Sequence, residues 1–142
     1  MRRWALNRLI MKKFFKLGMC LLPLLLMLGC NEVDKALEKQ AEAANNVCPM
    51  QVDEITTLER VEYANKSFLY HYSLTPSETA DYLMDEVSDD VLKTNLLNSL
   101  QNNMSSEMEK FKQLCKAAEC VVVYRYQLGD RQRDITISAY EW

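Results

Sequence analysis

Between Ser67 and Leu74 the chain alternates strictly, with Phe68, Tyr70, Tyr72 and Leu74 on one side and Leu69, His71 and Ser73 on the other. That is the period of a β-strand. The preceding stretch, Val52 to Tyr63, is also rich in β-branched and aromatic residues, but Leu58 and Val61 stand three apart, which predicts a bulge. Ala64-Asn65-Lys66 supplies the turn between the two. A third strand is predicted over Glu119–Leu128 and a fourth over Arg133–Tyr140, joined through Gly129-Asp130.

Between these hairpins the period becomes helical. Thr75-Pro76-Ser77-Glu78 reads as a helix start, with Thr75 capping, Pro76 in the first turn and Glu78 closing a capping box; the helix runs to about Glu86. Ser88-Asp89-Asp90 starts the next, whose stripe is Leu92, Leu96, Leu100 and Met104. Ser106 with Glu109 forms another capping box, so a break is expected near 103–105 before Met108, Phe111, Leu114 and Cys115. Upstream, Val33, Leu37, Ala41 and Ala44 form a thin apolar stripe among charges, too narrow to bury much alone. It is expected to dock loosely or to stand as a stalk. The order β-β-α-α-(α)-β-β predicts an α+β domain: a mostly antiparallel four-stranded sheet with helices on one face, preceded by a short helical stalk.

The first 29 residues differ from the rest. They carry six basic side chains, no acidic one, and an apolar run from Leu17 to Leu28 interrupted by Pro23. The run falls short of the roughly 20 apolar residues that cross a bilayer, and its flanks are those of an export signal. Met11-Lys12-Lys13 is also an ordinary signal start, so translation begins at Met1 or Met11. The segment ends Met27-Leu28-Gly29-Cys30, which resembles the lipobox of bacterial lipoproteins, although Leu28 is bulkier than that pattern's usual residue. The resemblance implies cleavage before Cys30, acylation of its sulfur, and an outer-membrane lipoprotein facing the periplasm, because Asn31 rather than Asp follows. The expected organisation is signal peptide 1–29, lipid anchor and spacer 30–47, and periplasmic domain 48–142.

Removing the leader changes the charge. From Cys30 onward, eleven basic residues face twenty acidic ones, a net charge of −9. Nucleic acid and anionic lipid headgroups select basic patches, so neither is expected as the main partner; a cationic protein would fit. Three further cysteines remain, Cys48, Cys115 and Cys120. The envelope is oxidising, so one disulfide is expected. Either Cys115 pairs with Cys120, or Cys48 pairs with one of them.

Catalytic chemistry finds little support. The single histidine, His71, sits mid-strand; of the adjacent carboxylates Asp53-Glu54, Asp85-Glu86 and Asp89-Asp90, the last two look like helix-end and capping groups, and adjacency alone does not set two carboxylates across a cleft. Gly129 is the only glycine after Cys30, which excludes a glycine-rich phosphate loop. No metal motif or cofactor fingerprint is present. The expected function is noncatalytic: a lipid-anchored periplasmic protein that binds another envelope protein, as an accessory or immunity factor. Tyr70, Tyr72, Tyr124 and Tyr126 are its candidate interface, on the expectation that some strand tyrosines face the uncovered side of the sheet. The alternative is a small-molecule or lipid carrier with a cavity lined by Tyr72, Leu96, Met104 and Phe111.

Overall fold

The structure is a computed structural model that describes residues 30–142. The expected signal peptide and cleavage site therefore lie outside the described residues, as does the Cys30 side chain. Helix α1 (Cys30–Asn45) leads into β1 (Met50–Gln51), β2 (Thr56–Ala64) and β3 (Ser67–Leu74). Three helices follow, α2 (Glu78–Asp85), α3 (Asp89–Asn102) and α4 (Ser106–Ala118), and then β4 (Val121–Leu128) and β5 (Arg131–Ser138). No described helix is long and apolar enough to cross a membrane.

The α+β class holds, and the sheet differs from expectation in two respects. It has five strands, in the order β1-β2-β3-β4-β5, and it is mixed. The extra strand is the two-residue β1, which pairs Met50 with Leu58 and Gln51 with Thr57. So short a strand leaves no alternation to read. The two hairpins, β2–β3 and β4–β5, are antiparallel as predicted, but β3 and β4 meet in parallel, with Tyr70 opposite Tyr124 and Tyr72 opposite Tyr126. A parallel neighbour requires a long crossover, and the three helices between residues 74 and 121 provide one.

Local chemistry explains the element ends. The β2–β3 turn places Asn65 and Lys66 at φ 52° and 60°, the left-handed pair of the tight hairpin turn that matches strand twist. The ladder shifts register between Leu58 and Arg60, where the three-residue spacing predicts a bulge. Ser77 rather than Thr75 caps α2, accepting from the Ala80 amide at 3.1 Å. Ser88 caps α3 as expected, and Ser105 rather than Ser106 caps α4. Each shifted cap still satisfies one of the free amides of a first turn.

The largest correction concerns α1. It is not a stalk but part of the core, with Val33, Leu37 and Ala41 all buried. Narrow as it is, this stripe suffices because α1 packs on β2 and α4 together. Polar contacts fix both ends. Asp34 accepts hydrogen bonds from the Tyr63 hydroxyl and from Lys66 Nζ at 2.7–2.8 Å. At the other end the Asn45 amide bonds both backbone groups of Val61, donating to its carbonyl and accepting from its N–H, each at 2.6 Å. Asn45 thus extends the pairing of β2 past the point where β1 stops.

Candidate interaction surface

Every buried strand residue lies on one face of the sheet. Leu58, Val61, Phe68, Tyr70, Val122, Tyr124, Ile135 and Ile137 face the helices, whereas Leu69, His71, Val123, Arg125, Asp134 and Thr136 face away and keep accessible surface. The four candidate interface tyrosines follow the first set. Tyr70 stacks on Tyr124 and Tyr72 on Tyr126, each pair with ring centroids 5.3 Å apart and planes within 19°. Tyr70 and Tyr124 are buried, and Tyr72 and Tyr126 are half-buried. Burial pushes the phenols of all four above their ordinary pKa of 10.0. The reason is register: Phe68 and Val122 anchor the inner face, and a period of two carries residues 70, 72, 124 and 126 with them. They form an internal aromatic ladder.

The outer face is a self-neutralising row of charges. His71 Nε2 lies 2.9 Å from Glu62 Oε1, and Arg60 reaches the same carboxylate at 3.7 Å. The hydrogen bond from His71 is the main cause that holds the Glu62 carboxyl below its usual 4.5. Arg125 binds Asp134 through two bonds of 2.7–2.8 Å. His71 therefore partners a carboxylate and is no part of a nucleophile–base pair among the described residues.

Of the residues expected to line a carrier cavity, Phe111 belongs to the core and Tyr72 and Leu96 pack against the same core. Phe111 is buried edge-on against Phe68 at 4.8 Å and beside Trp142 at 5.9 Å, while Met104 is 38% exposed just beyond α3. Cys48, Cys115 and Cys120 are all free thiols, so neither expected disulfide pairing is formed here.

Exposed aromatic rings lie elsewhere: Tyr140, just past β5 and beneath Lys116, and Tyr82, at the corner of α2 and α3. Tyr82 is 61% exposed and Val91 50%. Around them six carboxylates occupy residues 78–90, namely Glu78, Asp81, Asp85, Glu86, Asp89 and Asp90, with no basic residue among them. All six are exposed. Two arginines of β5 hold this corner in place. Arg131 binds Asp81 and Asp85. Arg133 bonds Asp89 and donates to the carbonyls of Leu83, Met84 and Val87, which satisfies the open end of α2. Glu78, Glu86 and Asp90 have no ion pair among the described residues. At i−4 and i+4, Glu78 and Glu86 flank Tyr82 along one side of α2, opposite the buried Ala80.

Sequence reasoning passed over Tyr82 although the signal was present. Ala80, Leu83, Met84 and Val87 define the inner side of α2, and Tyr82 falls off it. Its phase on the helix places it toward solvent.

No curated protein matches the chain. Among solved structures, a "putative secreted protein (PA3611)" of Pseudomonas aeruginosa superposes with a TM-score of 0.61 at 18% identity, covering 81% of this chain and 96% of that one. At that identity the likeness establishes the shared fold. The family Domain of unknown function (DUF8479) matches residues 31–133, from the residue after Cys30 to the arginine that caps α2, and the chain belongs to that family.

Proposed function

We propose that this is a noncatalytic, lipid-anchored protein of the bacterial envelope that docks a basic envelope protein on the acidic corner around Tyr82. The observation that carries the reading is a large aromatic, 61% exposed on a helix whose position two arginines fix, amid carboxylates of which three are unpaired. Tyrosine combines a large apolar body with a polar tip and is enriched where binding energy concentrates. The surrounding charge selects a cationic partner and speeds its encounter. The anchor reading rests on Met27-Leu28-Gly29-Cys30 and the basic leader before it. The description of the Pseudomonas aeruginosa relative as secreted supports a location outside the cytoplasm. Within that location the reading is outer membrane, facing the periplasm, by acylated Cys30.

Crosslinking in intact envelopes tests the docking. The wild-type chain should recover a protein of high isoelectric point, and Tyr82→Ala combined with Glu78→Lys and Glu86→Lys should lose it while the circular dichroism spectrum stays unchanged. Repeated recovery of no protein, or equal recovery by the triple variant, would sink the reading.

A further inference from the structure

Helix α4 ends in a specific turn. Glu119 adopts a left-handed conformation at φ 54°. The Cys120 amide donates to the Cys115 carbonyl at 2.9 Å, and the Glu119 amide donates to the Lys116 carbonyl at 3.1 Å. These two bonds, six-to-one and five-to-two, define the Schellman motif, whose third element is a side-chain contact between the residues at either end of the longer bond. Here both are cysteines. Their side chains hydrogen-bond to one another, and that bond is the main cause holding Cys120 below and Cys115 above the ordinary thiol value of 9.0. Both are buried, at 0% and 3% exposure.

Cys48 is placed elsewhere. Its Sγ donates to the Ala44 carbonyl at 3.3 Å, and its charged neighbour is Glu59. It precedes β1, while Cys120 precedes β4, whose first amide bonds the Lys66 carbonyl at 3.0 Å. Strand order alone separates β1 from β4 by three strand spacings, about 14 Å. A disulfide needs Cα atoms within about 7 Å. The Schellman turn, by contrast, brings Cys115 and Cys120 together directly, while strand order sets Cys48 apart from Cys120.

We propose that Cys115 and Cys120 are a disulfide site, closed by an oxidised dithiol catalyst or a small disulfide during folding, with Cys48 left as a thiol. The inference rests on the envelope location proposed above, where such oxidants are present. The Cys120 thiolate attacks the oxidant's disulfide and forms a mixed disulfide, releasing one oxidant thiolate that takes up the cysteine's proton. Cys115, deprotonated in turn, attacks Cys120 Sγ and displaces the second oxidant thiolate. Two protein thiols are oxidised and one oxidant disulfide is reduced to two thiols. Burial of both sulfurs confines the reaction to the unfolded or locally opened chain.

The test uses the full-length protein expressed with its leader in a Gram-negative host and purified without reductant. After denaturation, one residue among Cys48, Cys115 and Cys120 should react with a maleimide before reduction and all three after it; peptide mapping should place the unreduced label on Cys48. Reduction should lower the midpoint of thermal unfolding by roughly 10 °C, and Cys115→Ala should show no such shift. Three reactive thiols both in protein from cells and after refolding in a glutathione redox buffer overturn the proposal, as does any bond to Cys48. A bond that forms in the redox buffer but not in cells supports the site and counts against the envelope location instead.

Discussion

Phe68 shows how much a single position determines. It touches Tyr63, Tyr70 and Phe111 with centroids at 6.3, 5.3 and 4.8 Å, and joins the sheet to α4. Truncation to alanine should cost about 3–5 kcal/mol, read as a shift in the urea midpoint. The tyrosines make a spectroscopic prediction. Tyr63, Tyr70, Tyr72, Tyr124 and Tyr126 all have raised phenol pKa values, through burial first, and for Tyr63 also through its hydrogen bond to Asp34. On titration at 295 nm their phenolate absorbance should appear only as the chain unfolds at high pH. Reversible ionisation of all five near pH 10 in folded protein would contradict the internal ladder. The alternation around Tyr70 is fully legible in the sequence, but which face meets the helices is not. Strand period says that residues 68, 70 and 72 travel together; only the three-dimensional packing says where.

At the scale of elements, α1 is the part whose role the sequence states least clearly. A stripe of four apolar residues, Val33, Leu37, Ala41 and Ala44, predicts a helix and leaves its docking open. What decides the matter is long-range chemistry with no local signature: Asn45 on the backbone of Val61, and Asp34 on Tyr63 and Lys66. Asn45→Ala leaves the backbone of Val61 without those partners and should cost about 1–3 kcal/mol in denaturant unfolding. Asp34 predicts a pH dependence. Hydrogen bonding from Lys66, then Tyr63, holds its carboxyl below the usual 3.8. A depressed folded value means that the stabilisation is present above pH 3.8 and fades as pH falls through that lower value. Asp34→Asn should therefore be less stable than wild type at pH 7, and the gap should narrow toward pH 3. The mixed sheet has a similar explanation. Each hairpin is local and readable, whereas the parallel β3–β4 contact depends on the path of three intervening helices.

For the whole molecule, charge is the property with consequences. The net charge of −9 from Cys30 onward is visible in the sequence, and so are the six carboxylates of residues 78–90. What the sequence does not show is that Arg131 and Arg133, some fifty residues away in the chain, neutralise part of that cluster and leave Glu78, Glu86 and Asp90 around Tyr82. If that corner recruits a basic partner, raising ionic strength from about 50 to 500 mM should slow association by an order of magnitude or more with a smaller effect on dissociation, as surface plasmon resonance would register. Cys30→Ala should leave unprocessed or mislocalised protein; normal processing and membrane attachment of that variant would remove the anchor from the proposal.

The burial of α1 also sets how far this protein reaches. Val33 is buried, and only Asn31 and Glu32 separate it from Cys30. At about 1.5 Å of helical rise per residue, an acylated Cys30 would stand roughly 5 Å along the axis from the domain's core. Such an anchor would leave no tether: the bilayer would be a floor on which the domain rests with one orientation, and a partner would have to come to the membrane to meet it.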